Sequence, residues 1–242
     1  MRVSLGRAWH DRIMISNPIG SVPAEPRVLP DPRDPDGPYR VMMVCTGNIC
    51  RSAMAEMVLL DRLGAAGLAG HVEVASSGVS SEERGNPMDP RARRLLLSSG
   101  YGESSDGEGD CDGGGAVAAR IATHRAHRIT DAELVGSDLI LAMTASHERE
   151  LMRRAQRAGA VVDELGGNQG AGRRIRMFRE LDPDRAGDLA AIAAGQASRS
   201  RLDAPDPWYG GMEDFEETLA TIERVADELV PALSALTRDR SI

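Results

Sequence analysis

The nine residues Val44-Cys45-Thr46-Gly47-Asn48-Ile49-Cys50-Arg51-Ser52 constrain this chain more than any other segment. A short apolar run, Tyr39 to Val44, leads into them, and a helix-forming stretch leaves them. A strand that turns sharply into a helix aims several backbone N–H groups into one concavity, and the helix dipole adds positive potential there. Such a socket fits a phosphate-sized oxyanion. A thiol at its base, Cys45, is stabilised as thiolate by the surrounding donors. Arg51 closes the ring with a planar fork suited to two phosphoryl oxygens. The chemistry expected is attack of the thiolate on phosphorus, with backbone donors and Arg51 holding the equatorial oxygens and no metal required. Gly47 lets the backbone approach a phosphate closely. Asn48 tolerates a left-handed conformation and can tie the turn down, and Ser52 can donate to the Cys45 sulfur. The Cys-x5-Arg spacing alone is a weak signal, because the chain has three cysteines and all 29 of its basic residues are arginine. The preceding strand, the following helix and the Gly-Asn-x-Cys-Arg-Ser string give it weight.

This string resembles the phosphate loop of the low-molecular-weight protein-tyrosine phosphatase family almost unaltered. The family usually has proline after the serine; here it is Ala53, a good helix former. Asp206-Pro207-Trp208-Tyr209-Gly210 resembles the family's acid loop, Asp-Pro followed by two aromatics. By that resemblance Asp206 is the general acid that protonates the leaving phenolate and, once ionised, activates water against the phosphocysteine. Pro207 stiffens the loop, and Trp208 and Tyr209 wall the pocket and stack on an aromatic ring. Asp203 is the nearby competitor, but no proline follows it. Taken alone, the segment also reads as an ordinary Asp-Pro turn with two aromatics packed beneath it.

Between the motifs, Ala75-Ser76-Ser77-Gly78 resembles the family's second-strand ending. Gly85-Asn86-Pro87-Met88-Asp89-Pro90-Arg91-Ala92 resembles the turn into its second helix. His124-Arg125-Ala126-His127-Arg128 resembles a segment whose first histidine supports the loop serine, so His124 would hydrogen-bond Ser52 and orient its hydroxyl toward Cys45. The resemblance runs from about residue 38 to 236. It implies a cysteine-dependent protein-tyrosine phosphatase without cofactor or metal. Cys45, Arg51 and Asp206 are catalytic, and Thr46, Gly47, Asn48, Ile49, Cys50, Ser52, Trp208 and Tyr209 contact substrate. It further implies a cytoplasmic monomer or weak dimer acting on tyrosine-phosphorylated proteins, among them an autophosphorylating bacterial tyrosine kinase.

Some residues depart from the family or leave alternatives open. The family commonly carries an aromatic before the Gly-Asn-Pro turn; here the region reads Ser80-Ser81-Glu82-Glu83-Arg84, which makes the pocket edge acidic. Protein-arginine phosphatases of the family typically have threonine where this chain has Ile49, and isoleucine favours an aromatic phosphoester. Cys50 matches a neighbour that can form a reversible disulfide with the nucleophile; a small buried apolar side chain is the plainer alternative. Arsenate reductases of similar fold need two further closely spaced cysteines on a mobile segment, and this chain offers only Cys111. A phosphotyrosine-binding relic is a third reading, opposed by the retention of Cys45, Arg51 and Asp206.

The rest of the chain frames these motifs. Alternating apolar runs and helical periodicity predict strands near 40–45, 71–76, 138–143 and 174–178, and helices near 52–67, 89–99, 145–158 and 212–236. The fold expected is a four-stranded parallel sheet with helices on both faces and the site at the strands' carboxyl ends. Residues 1–37, rich in proline, read as a disordered extension, 38–236 as the phosphatase domain and 237–242 as a tail. Two insertions lie near 102–120 and 184–202. The first contains GESSDGEGDCDGGG, an acidic low-complexity tract over 102–115 expected to be a flexible loop; an EF-hand reading of it fails for want of a bidentate glutamate at its end. The second is alanine-rich and predicts a short extra helix. A net charge of −8 argues against nonspecific nucleic-acid binding. No apolar run approaches the ~20 residues of a membrane span.

Overall fold

A computed structural model describes residues 29–103, 113–159 and 173–237. Cys111, most of the acidic tract, the first 28 residues and the last five lie outside the described residues. Four parallel strands, β1 (Tyr39–Cys45), β2 (Val72–Gly78), β3 (Leu139–Ala142) and β4 (Ile175–Met177), form one sheet in the order β2-β1-β3-β4. The order reverses at β1, so the crevice at its carboxyl end is a topological switch point. The register brings the strand ends level there: Cys45 pairs with Gly78, Val44 with Ala142, and Ala142 with Met177.

Successive residues of β1 face opposite sides, and helices cover both. Tyr39, Val41, Met43 and Cys45 pack in one core with α1 (Arg51–Ala65), α2 (Pro90–Ser98) and the long helix α7 (Met212–Thr237). Met42 and Val44 join Ile140 and Ala142 in a second core with Leu134 of α4 (Asp131–Gly136) and Leu151 and Ala155 of α5 (Ala145–Arg157). In α7, Phe215, Leu219, Ile222, Ala226, Leu229 and Leu233 form the expected apolar stripe, and the helix continues through Pro231.

Three segments differ from the sequence expectation. First, the tract read as a loop over 102–115 gives way at Gly113 to a helix, α3 (Gly113–Thr123). Val117 and Ile121, four residues apart, bury one face of it against α1. Second, α4 was not foreseen. Thr130 and Glu133 form a reciprocal capping box at its start, which stabilises so short a helix. Third, residues 29–37, assigned to the disordered extension, lie against the domain. Leu29 is buried, the Pro30 carbonyl accepts from Tyr39 Oη at 3.0 Å, and the Arg33 N–H donates to Asp138 Oδ1 at 2.6 Å.

The alanine-rich segment contains the short helix α6 (Ala186–Ala193) and a tight turn, Arg199–Leu202. Leu202 is fully buried beside Ala145 and Met177. Arg199 donates to Glu148 Oε2 at 2.7 Å and to Glu180 Oε1 at 2.5 Å. Burial alone would raise the Glu180 pKa, but Arg173, Arg176 and Arg199 together hold it down to about 2. The segment approaching Asp206 is therefore pinned at both an apolar and a charged contact.

Candidate active site

β1 ends at Cys45 and α1 starts at Arg51, so the residues between them must turn within a single loop. Asn48 makes that possible. At φ +62° it is the one non-glycine residue with positive φ among the described residues. Its own side chain and backbone hold it there. Nδ2 donates to Ser52 Oγ at 3.1 Å and to Ser76 Oγ at 2.8 Å, and Oδ1 accepts from the His127 N–H at 3.2 Å. Gly78 supports the loop from below: a Cβ there would stand 2.5 Å from the Thr46 carbonyl oxygen.

The Cys45 sulfur receives the Asn48 N–H at 3.3 Å and lies 3.0 Å from Ser52 Oγ. Asn48 Nδ2 occupies an acceptor position of Ser52, which leaves the hydroxyl proton for the sulfur or for the Ser77 carbonyl at 3.3 Å. His124 does not perform the task expected of it. Its Nε2 donates to the Asn48 carbonyl at 2.8 Å rather than to Ser52, because the left-handed Asn48 turns that carbonyl toward the histidine. Burial is the main cause of a lowered His124 pKa. The Ser52 hydroxyl is oriented by Asn48 instead.

Arg51 is almost fully buried. Its Nη2 donates to Asp206 Oδ2 at 2.5 Å and to Thr46 Oγ1 at 3.5 Å, while its buried Nε has no hydrogen-bond partner among the described residues. A guanidinium with a donor left over beside a thiol suits an oxyanion. Asp206 is 45% exposed, and on its other side it accepts from the Trp208 N–H at 3.3 Å. Asp203 is committed elsewhere: its Oδ1 accepts from the Ala145 N–H at 2.7 Å, at the start of α5.

Cys45, Thr46, Gly47, Ile49, Cys50, Arg51, Asp206, Trp208 and Tyr209 line one cleft of about 240 Å³, and Glu82 and Glu83 form its acidic edge. Trp208 is 40% and Tyr209 94% exposed at its mouth. Asn48, Ser52 and His124, expected at or near the substrate, are buried and do not line the cleft; they hold the loop through their hydrogen bonds. Cys45 and Cys50 are both free thiols, and they differ in environment. Burial, followed by the charge of Asp89, pushes the Cys50 thiol far up, so Cys50 stays protonated.

Several residues at the site were not singled out from sequence. Arg91 makes a two-point pair with Asp89 and donates to the Gly210 carbonyl at 3.0 Å and the Trp208 carbonyl at 3.2 Å. Its guanidinium lies 4.5 Å from the centroid of the Phe215 ring. The Asp89 N–H donates to the Ile49 carbonyl at 2.9 Å, so this pair ties the phosphate loop to the acid loop. Both residues lay within a recognised turn, but only the fold reveals their partners.

His147 is the second omission. Its Nε2 lies 2.9 Å from Thr46 Oγ1, and its Nδ1 is buried without a partner among the described residues. Burial first, and then the Arg51 charge, lower its pKa to about 4. An unfolded histidine titrates near ~6.5. Between these values the unfolded chain binds a proton that the folded chain refuses. This stability is therefore intact above about pH 6.5 and is lost as pH falls toward 4, by about 3 kcal/mol at most. Urea midpoints measured across that window should fall less steeply for His147→Asn than for the wild type. Superimposable slopes would contradict a buried neutral His147.

Among the described residues no group of three or more His, Cys, Asp or Glu side chains is placed to hold a metal ion. Nor is any helix there long and apolar enough to cross a membrane.

Comparison with known proteins agrees with this geometry. The family described as low molecular weight phosphotyrosine protein phosphatase matches residues 40–107. A low molecular weight protein-tyrosine-phosphatase of Streptomyces coelicolor is 32% identical over 203 residues, spanning 84% of this chain and 98% of the relative. Low molecular weight protein-tyrosine phosphatase A of Mycobacterium tuberculosis is 33% identical, spanning 77% of this chain and 86% of that protein. A crystal structure of a protein tyrosine phosphatase from Entamoeba histolytica has a TM-score of 0.58 at 20% identity, covering 81% of this chain and 97% of its own; that likeness is one of fold.

Proposed function

The chain belongs to the low molecular weight protein-tyrosine phosphatase family, and from that premise we propose that it hydrolyses phosphotyrosine in proteins through a phosphocysteine on Cys45. The observation that carries this reading is the meeting of the Cys45 sulfur, the Arg51 guanidinium and the Asp206 carboxylate in one cleft. The thiolate attacks phosphorus as the bond to the tyrosyl oxygen breaks. Arg51 and the loop N–H groups hold the equatorial oxygens. The incoming phosphoryl group replaces Asp206 on the Arg51 fork, and the half-exposed aspartic acid delivers its proton to the departing phenolate. Asp206, now ionised, then takes a proton from the water that attacks phosphorus. The P–S bond breaks, and Ser52 and the Asn48 N–H receive the thiolate.

Ile49, Trp208 and Tyr209 offer apolar and aromatic surface to a phenyl ring, which supports phosphotyrosine over phosphoarginine. The partners on this reading are tyrosine-phosphorylated proteins of the cytoplasm, including an autophosphorylating tyrosine kinase. The test is hydrolysis of matched phosphotyrosine, phosphoserine and phosphoarginine peptides in reducing buffer with a chelator. A kcat/KM for phosphotyrosine higher by about 10²-fold is expected. Preference for phosphoarginine, or arsenate reduction without ester hydrolysis, would contradict the reading.

A further inference from the structure

The hydrogen bonds that hold the phosphate loop continue past Ser76. The Ser76 hydroxyl donates to Glu56 Oε2 at 2.5 Å, and Glu56 Oε1 accepts from Arg120 Nε at 2.7 Å. Glu56, on α1, is 1% exposed, whereas the Arg120 side chain on α3 is 52% exposed. A surface arginine is thus the counter-charge of a carboxylate sealed in the core.

From Glu56 to Asn48 each bond in this chain has one allowed direction. The Glu56 carboxylate only accepts, so Ser76 must donate to it. The His127 N–H fixes Asn48 Oδ1 as an acceptor, which assigns Nδ2 as the donor to both Ser76 and Ser52. Ser52, already accepting from Asn48, has its own proton for the Cys45 sulfur or the Ser77 carbonyl. Without the Arg120 bond on Oε1, the buried carboxylate would lose its counter-charge and one of the bonds that hold it against Ser76.

We propose that Arg120 is a positioning residue for Cys45: its bond to Glu56 holds that carboxylate against Ser76, and Ser76 and Asn48 in turn place the Ser52 hydroxyl beside the sulfur. Arg120 also acts on the network at a second point. Burial first and, more weakly, the Arg120 charge lower the pKa of His124, against the raising influence of its bond to the Asn48 carbonyl and of Glu56. The inference rests on Cys45 being the nucleophile. It makes α3, which follows the acidic tract, part of the machinery that prepares the thiol rather than a surface addition.

The test uses the full-length chain with Arg120→Gln, Arg120→Lys and Glu56→Gln. Two quantities are measured: the rate at which iodoacetamide alkylates Cys45 at neutral pH, followed by mass spectrometry of the Cys45 peptide, and kcat and KM on an aryl phosphate. Arg120→Gln should slow alkylation and lower kcat by about tenfold, with KM within about twofold. Arg120→Lys should recover most of the loss. Glu56→Gln should reproduce the Arg120→Gln effect, and combining the two should add little, because both act through one chain of bonds. Wild-type alkylation in a folded Arg120→Gln or Glu56→Gln protein, with only the melting temperature lowered, would overturn the proposal. A wild type that hydrolyses no phosphotyrosine, but whose Cys45 alkylation still depends on Arg120, would remove the proposed function and leave the positioning role standing.

Discussion

Replacing Cys45 with serine should lower aryl phosphate hydrolysis by about 10⁴-fold or more while leaving the fold and phosphopeptide binding in place. The effect is large because the sulfur carries the covalent step. A serine hydroxyl at the end of β1 would keep the Asn48 N–H and Ser52 as neighbours. It would not be ionised near neutral pH, so the socket would bind the phosphoryl group without attacking it. Arg51 and the loop N–H groups are untouched, and binding of a phosphotyrosine peptide measured by calorimetry should survive. Residual turnover above about 1% of wild type would point to another nucleophile. Cys50 is a poor candidate, since burial and Asp89 keep its thiol protonated.

Asp206→Asn should lower kcat by about 10²- to 10⁴-fold, the range of a lost general acid. The loss should depend on the leaving group. A tyrosyl oxygen departs badly without a proton, whereas para-nitrophenolate departs well without one. Phosphotyrosine turnover should therefore fall much further than para-nitrophenyl phosphate turnover. Equal losses on both substrates would mean that Asp206 serves chiefly to position Arg51, to which it is bonded at 2.5 Å. Asp203→Ala provides the contrast. Its carboxylate receives the first N–H of α5, so that change should cost about 1 kcal/mol of stability with little effect on rate.

The parts legible from sequence are those whose geometry is written in neighbouring residues. The loop from Cys45 to Ser52 is fixed by a strand, a left-handed asparagine and a helix start, all contiguous in the chain. Asp206 is marked by the proline and aromatics that follow it. The order of apolar runs gave the sheet and the helices α1, α2, α5 and α7 to within a few residues. What escaped depends on which residues the fold brings together. His147 is an unremarkable residue in the first turn of α5 until β3 sets that turn beside Thr46. Arg91 and Asp89 look like a helix start, and only the packing of α2 beside α7 brings them to the acid loop. For His124 the sequence placed the residue at the loop but assigned it the wrong partner, since the Asn48 carbonyl direction follows from a backbone angle. In α3 the glycine-rich composition hid a short helix whose Val117 and Ile121 join the core beside α1.

The covalent intermediate is the most direct test of the account. The protein would be mixed with a peptide bearing radiolabelled phosphotyrosine and quenched within milliseconds, and the labelled residue would be mapped by mass spectrometry. Label on Cys45, absent from Cys45→Ser and discharged by water in the wild type, is the predicted result. Rapid hydrolysis with no label on Cys45 at any quench time, or label on a different residue, would contradict the mechanism at its centre.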